Sequence, residues 1–346
     1  MRAWELQGFS LDELVLVERP VPEPGPREVL VRVRAAALNS RDLQVIHDQY
    51  DPDQHLPLVP VSDGAGEIVA VGEEVSRVVA GDRVVGAFAQ GWVAGERTWE
   101  RWLTHLGGHR DGLLQEYALL DAEGAVRVPG HLSDAEAAAA TSAAATAWQA
   151  LVVRGGIRAG QSVLVQGTGG VALFALQFAL LAGADVFVTS ASDEKLERAR
   201  ALGALAGINY RADPDWDERV LELTNGLGVD HVVETAGDLA RSLNCLRVGG
   251  LVSCVGYLDQ LELDSGEPPA WSYRVGIVPV LVKNARLHGM SAAPRETYEE
   301  IYRAMAAAEL RPVVDRVFPF EEAVEALRYL KAGTHFGKVC VAVAAR

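Results

Sequence analysis

The pattern of apolar and polar positions along the chain changes near residue 130. Before that point the apolar runs are short and are broken by glycine and proline, which is typical of strands joined by turns. The strands predicted in this part are residues 29–33, 64–71 and 83–87. No repeat and no long helical pattern accompanies them, so the sequence predicts a compact, mostly β, barrel-like domain.

After residue 130 helical and strand-like segments alternate. Ser133 and Glu136 have the spacing of a capping box, which predicts a helix over residues 133–153. The strands predicted next are residues 163–166, 185–189, 208–210, 231–234 and 251–255, with helices at 171–182, 194–202 and 216–224 between them. Such alternation builds parallel βαβ units, so the sequence predicts an α/β fold whose doubly wound parallel sheet carries helices on both faces.

The tail of the chain returns to mixed content. It contains predicted helices at residues 295–308 and 320–331 and a predicted strand at residues 338–343. We expect this segment to pack back onto the β-rich part, which makes the first domain discontinuous. The predicted domains are therefore residues 1–125 together with 287–346, and residues 126–286.

A glycine-rich turn follows the first strand of the alternating part. Its residues are Gly167, Thr168, Gly169, Gly170, Val171 and Ala172. Gly167 permits a tight turn, Gly169 lets the backbone approach a pyrophosphate, and the small Ala172 lets helix and strand pack closely. The helix N-terminus then offers free N–H groups to the phosphates. The turn predicts a dinucleotide site; the alternative is a turn needed only for packing.

The acidic residue that would hold a ribose hydroxyl is missing. It is expected roughly twenty residues after the first glycine, and residues 187–190 contain no carboxylate. The hydroxyls of Ser190 and Ser192 leave room for a 2′-phosphate, and Lys195 adds a positive charge. This combination favours NADP(H) over NAD(H), although Lys195 by itself could equally be a solvated helix lysine.

Composition limits the partners of the chain. It has 346 residues, a formal net charge of −15 and three scattered cysteines. The acidic balance argues against nucleic acid or an anionic membrane as a partner, and the cysteines suit buried thiols better than disulfides. No apolar run reaches the roughly 18 residues of a membrane helix. We therefore expect a cytoplasmic protein that acts on a small molecule.

A long loop with three tryptophans occupies residues 88–112. Loops of this length in a compact domain are usually functional or disordered, and the aromatic content favours the first option. Trp92 and Trp99 are predicted to form the apolar, flat wall of a substrate pocket. The alternative is that both side chains only pack the loop.

Several stretches together resemble a known family. They are LNSRDL (38–43), VSDGAGEIVAVG (61–72), GDRVVG (81–86), GLLQEYALL (112–120), TAWQAL (146–151) and HFGKVCV (335–341). Over nearly its whole length the chain resembles the medium-chain dehydrogenase/reductase superfamily, most closely its zinc-free quinone oxidoreductase branch. The resemblance implies a GroES-like catalytic domain, a Rossmann domain, an active site in the cleft between them, and a homodimer or homotetramer.

The resemblance also marks a departure at the metal site. Zinc-dependent members of the superfamily carry a cysteine where this chain has Asn39, and a histidine–glutamate pair where it has Ser62 and Asp63. Zinc takes three or four nitrogen, sulfur or oxygen ligands, and these positions lack the usual thiolate and imidazole. We expect no metal.

Site residues can be carried over from the family position by position. Asn39 is implied to contact the nicotinamide or the substrate carbonyl, or else only to cap a helix. Tyr50 and Ser62 match pocket positions, and Tyr50 is a candidate proton donor beside solvent. Lys338 matches a basic position near the cofactor, or else is a solvated lysine.

The remaining matched positions bind the cofactor. Gly169, Gly170 and Val171 would line the pyrophosphate, and Thr146 would touch the nicotinamide. Gly256 and Tyr257, after the last predicted parallel strand, would border the nicotinamide ring. Tyr210, with Ser192 and Lys195, matches the group that holds the 2′-phosphate; its alternative is an aromatic residue that packs on the sheet.

The resemblance and the missing ligands together indicate a reaction. Without a strong Lewis acid, hydride transfer favours acceptors that are already electron-poor, namely quinones and α,β-unsaturated carbonyl compounds. The side chain of Asn39 or backbone N–H groups could stabilise the developing oxyanion. Two alternatives stay open: an NADP-dependent alcohol or carbonyl dehydrogenase, and a non-catalytic NADPH-binding sensor.

Overall fold

The computed structural model describes residues 1–51, 53–256 and 277–343. These residues form two compact units, one of residues 1–145 and 292–343, the other of residues 146–256 and 277–291. The first unit is discontinuous, as expected for a tail that returns to the β-rich part. The division falls between Ala145 and Thr146, further along the chain than residue 125.

The strands are named in chain order. They are β1 (Arg2–Leu6), β2 (Leu14–Glu18), β3 (Glu28–Leu38), β4 (Asp63–Val71), β5 (Arg83–Gly86), β6 (Tyr117–Asp121), β7 (Ala125–Arg127), β8 (Ser162–Gln166), β9 (Asp185–Ser190), β10 (Ala206–Asn209), β11 (Val229–Glu234), β12 (Leu246–Cys254), β13 (Arg286–Gly289), β14 (Val314–Pro319) and β15 (Lys338–Ala342).

The helices are named in the same way. They are α1 (Ser40–Ile46), α2 (Trp99–Trp102), α3 (Asp134–Ala139), α4 (Ser142–Trp148), α5 (Gly170–Leu181), α6 (Asp193–Ala201), α7 (Trp216–Leu223), α8 (Leu239–Asn244), α9 (Ile277–Val282), α10 (Arg295–Ala307) and α11 (Ala323–Lys331). In the described part of the chain, no helix is both long and apolar enough to span a membrane.

The first unit is built on a sheet in the order β14-β15-β3-β4-β5-β7, with β6 paired to β3. The tail therefore enters this sheet through β15, which pairs antiparallel with β3. Strand β3 is longer than the predicted residues 29–33 because small apolar residues continue it past Arg34 to Leu38, and these are buried. A continuous apolar core, including residues of α11, packs against the sheet.

The predicted single helix over residues 133–153 is wrong, because the segment is broken. The capping box of Ser133 and Glu136 is present at the start of α3, but α3 ends at Ala139 and α4 begins at Ser142. The hydroxyl of Thr141 bonds to the carbonyl of Ala138, and the Ser142 N–H donates to the carboxylate of Asp63. These competing bonds interrupt the helical ladder.

The second unit has the predicted α/β architecture. Its sheet runs in the order β10-β9-β8-β11-β12-β13, and every paired strand is parallel. The strand order reverses at β8, which pairs with β9 on one side and β11 on the other. In open parallel sheets of this kind, ligands bind beyond the carboxyl ends of the strands at the point of reversal.

Candidate functional site

Three strand ends of the first unit bring a polar cluster together. Asn39 follows β3 directly and occupies the N-cap position of α1. Asp63 begins β4, where it lies opposite Ala37 of β3. Lys338 begins β15, whose next residue lies opposite Leu38. The register of the sheet therefore places an amide, a carboxylate and an ammonium group at one end of the same sheet.

The three side chains bond to one another. The Asn39 Nδ2 donates to Asp63 Oδ2 at 2.8 Å, and Lys338 Nζ donates to Asn39 Oδ1 at 2.6 Å. Lys338 Nζ also donates to the carbonyl oxygen of Leu38 at 2.8 Å and lies 3.7 Å from Asp63 Oδ2. Asp63 and Lys338 are 1% and 3% exposed, so this is a buried ion pair with a bridging amide.

Two serines complete the shell of the carboxylate. Ser62 Oγ donates to Asp63 Oδ1 at 2.9 Å, and Ser142 Oγ donates to the same oxygen at 2.5 Å. The Ser142 N–H reaches Asp63 Oδ2 at 3.2 Å. A buried carboxylate needs partners of this number to offset its loss of water. The broken helix described above therefore supplies two of the bonds that hold Asp63.

Sequence reasoning missed Ser142, although it left a signal. The serine and its neighbour Thr141 are the only hydroxyls inside a run of alanines at residues 137–145. Polar groups inside a buried apolar helix are there because something accepts their hydrogen bonds. No short motif could identify Asp63 as the acceptor, because the two residues are 79 positions apart.

The observed contacts of Asn39 and Lys338 can be compared with the roles predicted for them. Asn39 occupies the N-cap position and forms a capping box with Asp42, whose carboxylate accepts from the Asn39 backbone N–H at 2.8 Å. The Asn39 amide also bonds Asp63 and Lys338. The alternative of a solvated Lys338 is wrong because the side chain is buried. The described partners of its ammonium are protein groups, so contact with a cofactor stays a prediction.

Tyr50 lies in a ring cluster near the start of the long loop. The guanidinium carbon of Arg41 stands 4.3 Å from the centre of the Tyr50 ring, and the buried His105 meets that ring edge-on at 5.8 Å. Burial raises the pKa of Tyr50, and the neighbouring Arg41 opposes this shift. A phenol in this setting stays protonated at neutral pH, as a proton donor must.

The tryptophans of the loop differ from the prediction. Trp92 is buried, and its indole N–H donates to the carbonyl of Gly95 at 2.8 Å, so it packs its own loop. Trp99 is 68% exposed and lies beside Arg97. Trp102 is instead the tryptophan that meets Tyr50, at a ring distance of 6.5 Å. The described contacts of Trp92 and Trp99 give the pocket role no support.

The glycine turn of the second unit has the geometry that a pyrophosphate requires. Gly167 has φ +79°, a conformation that glycine adopts without strain, and its N–H donates to the carbonyl of Thr189. Thr168 is buried, and Gly169 is the N-cap of α5, so Gly170 and Val171 form the first helical turn. The residues therefore fit the phosphates of a dinucleotide at a helix N-terminus.

The end of β9 has the hydroxyls expected from the sequence. Ser190 Oγ accepts from the Ser192 N–H, and Ser192 Oγ caps α6 by accepting from the Lys195 N–H, each at 3.3 Å. The Tyr210 N–H donates to the Ser190 carbonyl, which brings Tyr210 beside this turn, and its side chain is 43% exposed. An exposed ring of this kind does not support the alternative that Tyr210 packs on the sheet.

Two of the remaining cofactor positions, Thr146 and Gly256, also lie in the second unit. Thr146 lies in α4 at the start of that unit. Gly256 follows β12, and a Cβ at this position would lie 2.7 Å from the carbonyl oxygen of Thr235, so only glycine fits. Tyr257 lies outside the described residues. The threonine after β11 was not predicted; its hydroxyl bonds the carbonyl of Gln166 at the end of β8.

A parallel sheet with a glycine turn at its point of reversal, preceded by a β-rich unit with a buried polar cluster, defines the class of nicotinamide-dependent oxidoreductases. Comparison with family models agrees. The model of the alcohol dehydrogenase GroES-like domain matches residues 25–130, and that of the zinc-binding dehydrogenase matches residues 170–307.

Known proteins are similar over the whole chain. A zinc-type alcohol dehydrogenase-like protein of Schizosaccharomyces pombe is 42% identical over 98% of this chain and 97% of its own length. A solved structure described as an NAD-dependent alcohol dehydrogenase matches with a TM-score of 0.88 at 34% identity, covering 99% of this chain and 100% of that chain. The quinone oxidoreductase from Coxiella burnetii matches with a TM-score of 0.78 at 26% identity over 99% of each chain. The chain belongs to the medium-chain dehydrogenase/reductase superfamily, as an alcohol dehydrogenase-like oxidoreductase that binds a nicotinamide cofactor.

The zinc of the zinc-dependent members does not fit the residues of this chain. Asn39 and Ser62, at two of the positions that carry metal ligands in those members, offer an amide and a hydroxyl, and both are bonded to Asp63. The Lys338 ammonium lies 3.7 Å from Asp63, so a cation already faces that carboxylate. Among the described residues, no group of three or more histidine, cysteine or acidic side chains is arranged to hold a metal.

Proposed function

We propose that the protein is a zinc-independent, NADP(H)-dependent oxidoreductase that reduces a quinone or an α,β-unsaturated carbonyl compound. One observation carries this proposal. Asn39 and Asp63, at positions that carry zinc ligands in metal-dependent members, are hydrogen-bonded to each other, and the Lys338 ammonium donates to Asn39 and lies 3.7 Å from Asp63. When bound, the nicotinamide cofactor supplies a hydride to an electrophilic carbon. The protein contributes binding, orientation and charge.

The Asn39 amide is the group proposed to meet the substrate oxygen. Its Nδ2 carries two N–H groups, and Asp63 accepts one of them. The second N–H can donate to an oxygen that gains negative charge during reduction. A neutral amide stabilises such an oxygen less than a metal ion does. This favours substrates whose acceptor carbon is already electron-poor.

Tyr50 is the proposed source of a proton beside solvent. The phenol carries its proton at neutral pH. Burial raises its pKa above the ordinary value, and Arg41, which stands over the ring, opposes this rise and so favours release of the proton. Ser62 is not proposed to contact substrate directly, because its hydroxyl donates to Asp63. It acts by holding that carboxylate in place.

The choice of NADP(H) rests on the end of β9. No carboxylate stands at residues 187–190 to repel a 2′-phosphate. Ser190 and Ser192 present hydroxyls, and Lys195 lies on the first turn of α6. Tyr210 is an exposed ring beside the same turn. These groups suit a phosphate through hydrogen bonds and charge.

We also propose that the protein acts in the cytoplasm as a homodimer or homotetramer. Three free cysteines without a disulfide suit a reducing compartment. In the described part of the second unit, β13 is one of the two edge strands of the sheet. The neighbouring α9 exposes Ile277, Val278, Leu281 and Val282. A second copy could continue the sheet and cover this apolar helix.

The proposed reaction is tested with purified protein and a panel of acceptors. Oxidation of NADPH by 1,4-benzoquinone or an alkyl enone, faster than oxidation of NADH, is the expected result. Oxidation of a simple alcohol with NADP⁺ as the main activity would identify an alcohol dehydrogenase instead. Tight NADPH binding without turnover of any acceptor would identify a sensor. Stoichiometric zinc in elemental analysis would overturn zinc independence.

A further inference from the structure

The Asn39 amide has two charged neighbours, and both favour the same orientation. An amide side chain has a donor end and an acceptor end, and exchanging them reverses every hydrogen bond it makes. Here the acceptor Oδ1 faces the Lys338 ammonium at 2.6 Å, and the donor Nδ2 faces the Asp63 carboxylate at 2.8 Å. The reversed amide would place its NH2 group against an ammonium and its carbonyl against a carboxylate. Both contacts would be repulsive.

The Lys338 ammonium is itself held firmly. The side chain is 3% exposed, and its Nζ donates to the carbonyl of Leu38 at 2.8 Å as well as to Asn39. Leu38 immediately precedes Asn39, so the lysine bonds the backbone and the side chain of one short segment. A buried ammonium with these acceptors cannot turn away without losing charge-assisted hydrogen bonds.

We propose that Lys338 is a positioning residue, whose ammonium holds the Asn39 amide in one orientation and thereby keeps one Nδ2 hydrogen available to a substrate oxygen. The inference rests on the proposed function, since it assigns Asn39 the contact with substrate. In this proposal Lys338 orients the Asn39 amide, which is a different role from neutralising the buried charge of Asp63. The lysine acts only through Asn39 and does not contact the substrate.

The two roles make different predictions for Lys338→Met in three backgrounds. If Lys338 positions the amide, the substitution lowers kcat by about tenfold or more in the wild-type and Asp63→Asn backgrounds. In the Asn39→Ala background it has little further effect, because the group being positioned is absent. If Lys338 only compensates Asp63, the loss disappears in the Asp63→Asn background and persists in the Asn39→Ala background. That second pattern would overturn the proposal.

Stability and cofactor binding are measured on the same variants. Lys338→Met alone leaves a buried carboxylate without a cation and is expected to lower the melting temperature. The Lys338→Met/Asp63→Asn double variant balances the charge, so it keeps the experiment interpretable if the single variant does not fold. In Lys338→Met, kcat should fall by a much larger factor than the KM for NADPH rises, because the inference has Lys338 orient the Asn39 amide, while the phosphates are proposed to bind at the glycine turn. A parallel rise in this KM would contradict a positioning role.

A spectroscopic measurement tests the inference without turnover. The two Asn39 Nδ2 protons are identified in an amide NMR spectrum by their loss in Asn39→Ala. In the wild-type protein they should give two separate resonances, one protected by Asp63; in Lys338→Met they should broaden or exchange faster. An unchanged pair would overturn the positioning role even in an active enzyme. A changed pair in a protein that reduces no acceptor would retain the positioning role and reject the proposed reaction.

Discussion

At the scale of single residues, Asp63 shows how a buried charge is accommodated. Its two oxygens accept from Asn39, Ser62 and Ser142, and the Lys338 ammonium lies 3.7 Å away. Each bond offsets part of the cost of removing a carboxylate from water. The side chains around Asp63 are therefore energetically coupled, so replacing one of them changes the contribution of the others to stability.

A side chain at Gly108 is predicted to destabilise the first unit. A Cβ at Gly108 would lie 2.1 Å from Nε2 of His105, whose ring is buried and stacked 5.4 Å from Phe88. The ring has no room to move, so Gly108→Ala should lower the free energy of unfolding of the first unit by about 2 kcal/mol or more. Chemical denaturation measures the change.

The matched control for this substitution is Gly130→Ala. No atom lies within 4 Å of a Cβ at Gly130, so the alanine is accommodated. Its effect on unfolding should lie within about 0.5 kcal/mol. Equal stability of Gly108→Ala and the wild-type protein would show that the His105 ring can move aside for the added methyl group, and would contradict the prediction.

The sequence pointed to Asn39, Ser62 and Lys338 through the family resemblance, but not to their mutual bonds. Such bonds join positions up to 299 residues apart, which neither periodicity nor motif spacing can reveal. The pocket role of Trp99 stays a prediction. An aromatic residue in a long loop suggested a pocket, whereas its own loop leaves the side chain exposed.

At the scale of elements, strongly periodic segments were predicted well. The parallel strands β8, β9 and β11 and helices α5, α6 and α10 lie close to their predicted residues. The strands are clear apolar runs, and a glycine, a serine and a proline mark the starts of the three helices. Shorter elements such as α8 and β13 were missed, since a few residues carry little periodicity. The break between α3 and α4 was missed because it depends on Asp63, far away in sequence.

The end of β9 is predicted to decide between the two cofactors. Ser190 is the last residue of the strand and is buried. A carboxylate there would repel a 2′-phosphate and could bind a ribose hydroxyl. Ser190→Asp should therefore lower kcat/KM with NADPH by at least about tenfold relative to kcat/KM with NADH, as measured in steady-state kinetics with one acceptor.

Ser190→Asn is the control for this experiment. It has nearly the same size as aspartate but no charge, so it separates electrostatic repulsion from crowding of the turn. The ratio of the two kcat/KM values should change much less in this variant. An equal change in both variants would mean that Ser190 acts through shape and that the missing carboxylate does not select NADP(H).

At the scale of the whole molecule, two buried histidines link stability to pH. Burial lowers the pKa of His105 to about 3 and that of His231 to about 4, below the ordinary value of 6.5. The unfolded chain therefore binds protons that the folded chain does not bind as the pH falls from about 6.5 to 4. Over this range each histidine should reduce the free energy of unfolding by about 1.4 kcal/mol per pH unit.

Calorimetry between pH 7 and pH 4 tests this dependence. The melting temperature of each unit should fall with pH, and His231→Asn should flatten the fall for the second unit only. His55→Asn, an exposed position of the first unit, is the control and should leave both slopes unchanged. Identical slopes for the His231→Asn and wild-type proteins would show that His231 does not set this dependence.

The exposed apolar face of α9 leads to a prediction about the oligomeric state. Leu281 on α9 is 70% exposed beside the edge strand β13. If a second copy covers this helix, Leu281→Glu should place a charge in the interface and convert the protein to monomers. Light scattering coupled to size-exclusion chromatography measures the mass.

A second exposed leucine provides the control. Leu227 belongs to the same unit and is 75% exposed, on the turn between α7 and β11. Leu227→Glu should leave the mass unchanged, because the proposed contact does not include that turn. A wild-type protein that is already monomeric would reject the proposed assembly.

The buried pair of Lys338 and Asp63 has a consequence for how this site can change over generations. Replacing Asn39 alone by a metal-binding residue would place a new ligand beside an ammonium that repels metal ions. Replacing Lys338 alone would leave a buried carboxylate without a counter-charge, at a cost of about 3–5 kcal/mol, a large part of the stability of a typical domain. Neither single step prepares the site for a metal, so a change of this site toward metal binding requires coordinated substitutions of Asn39 and Lys338.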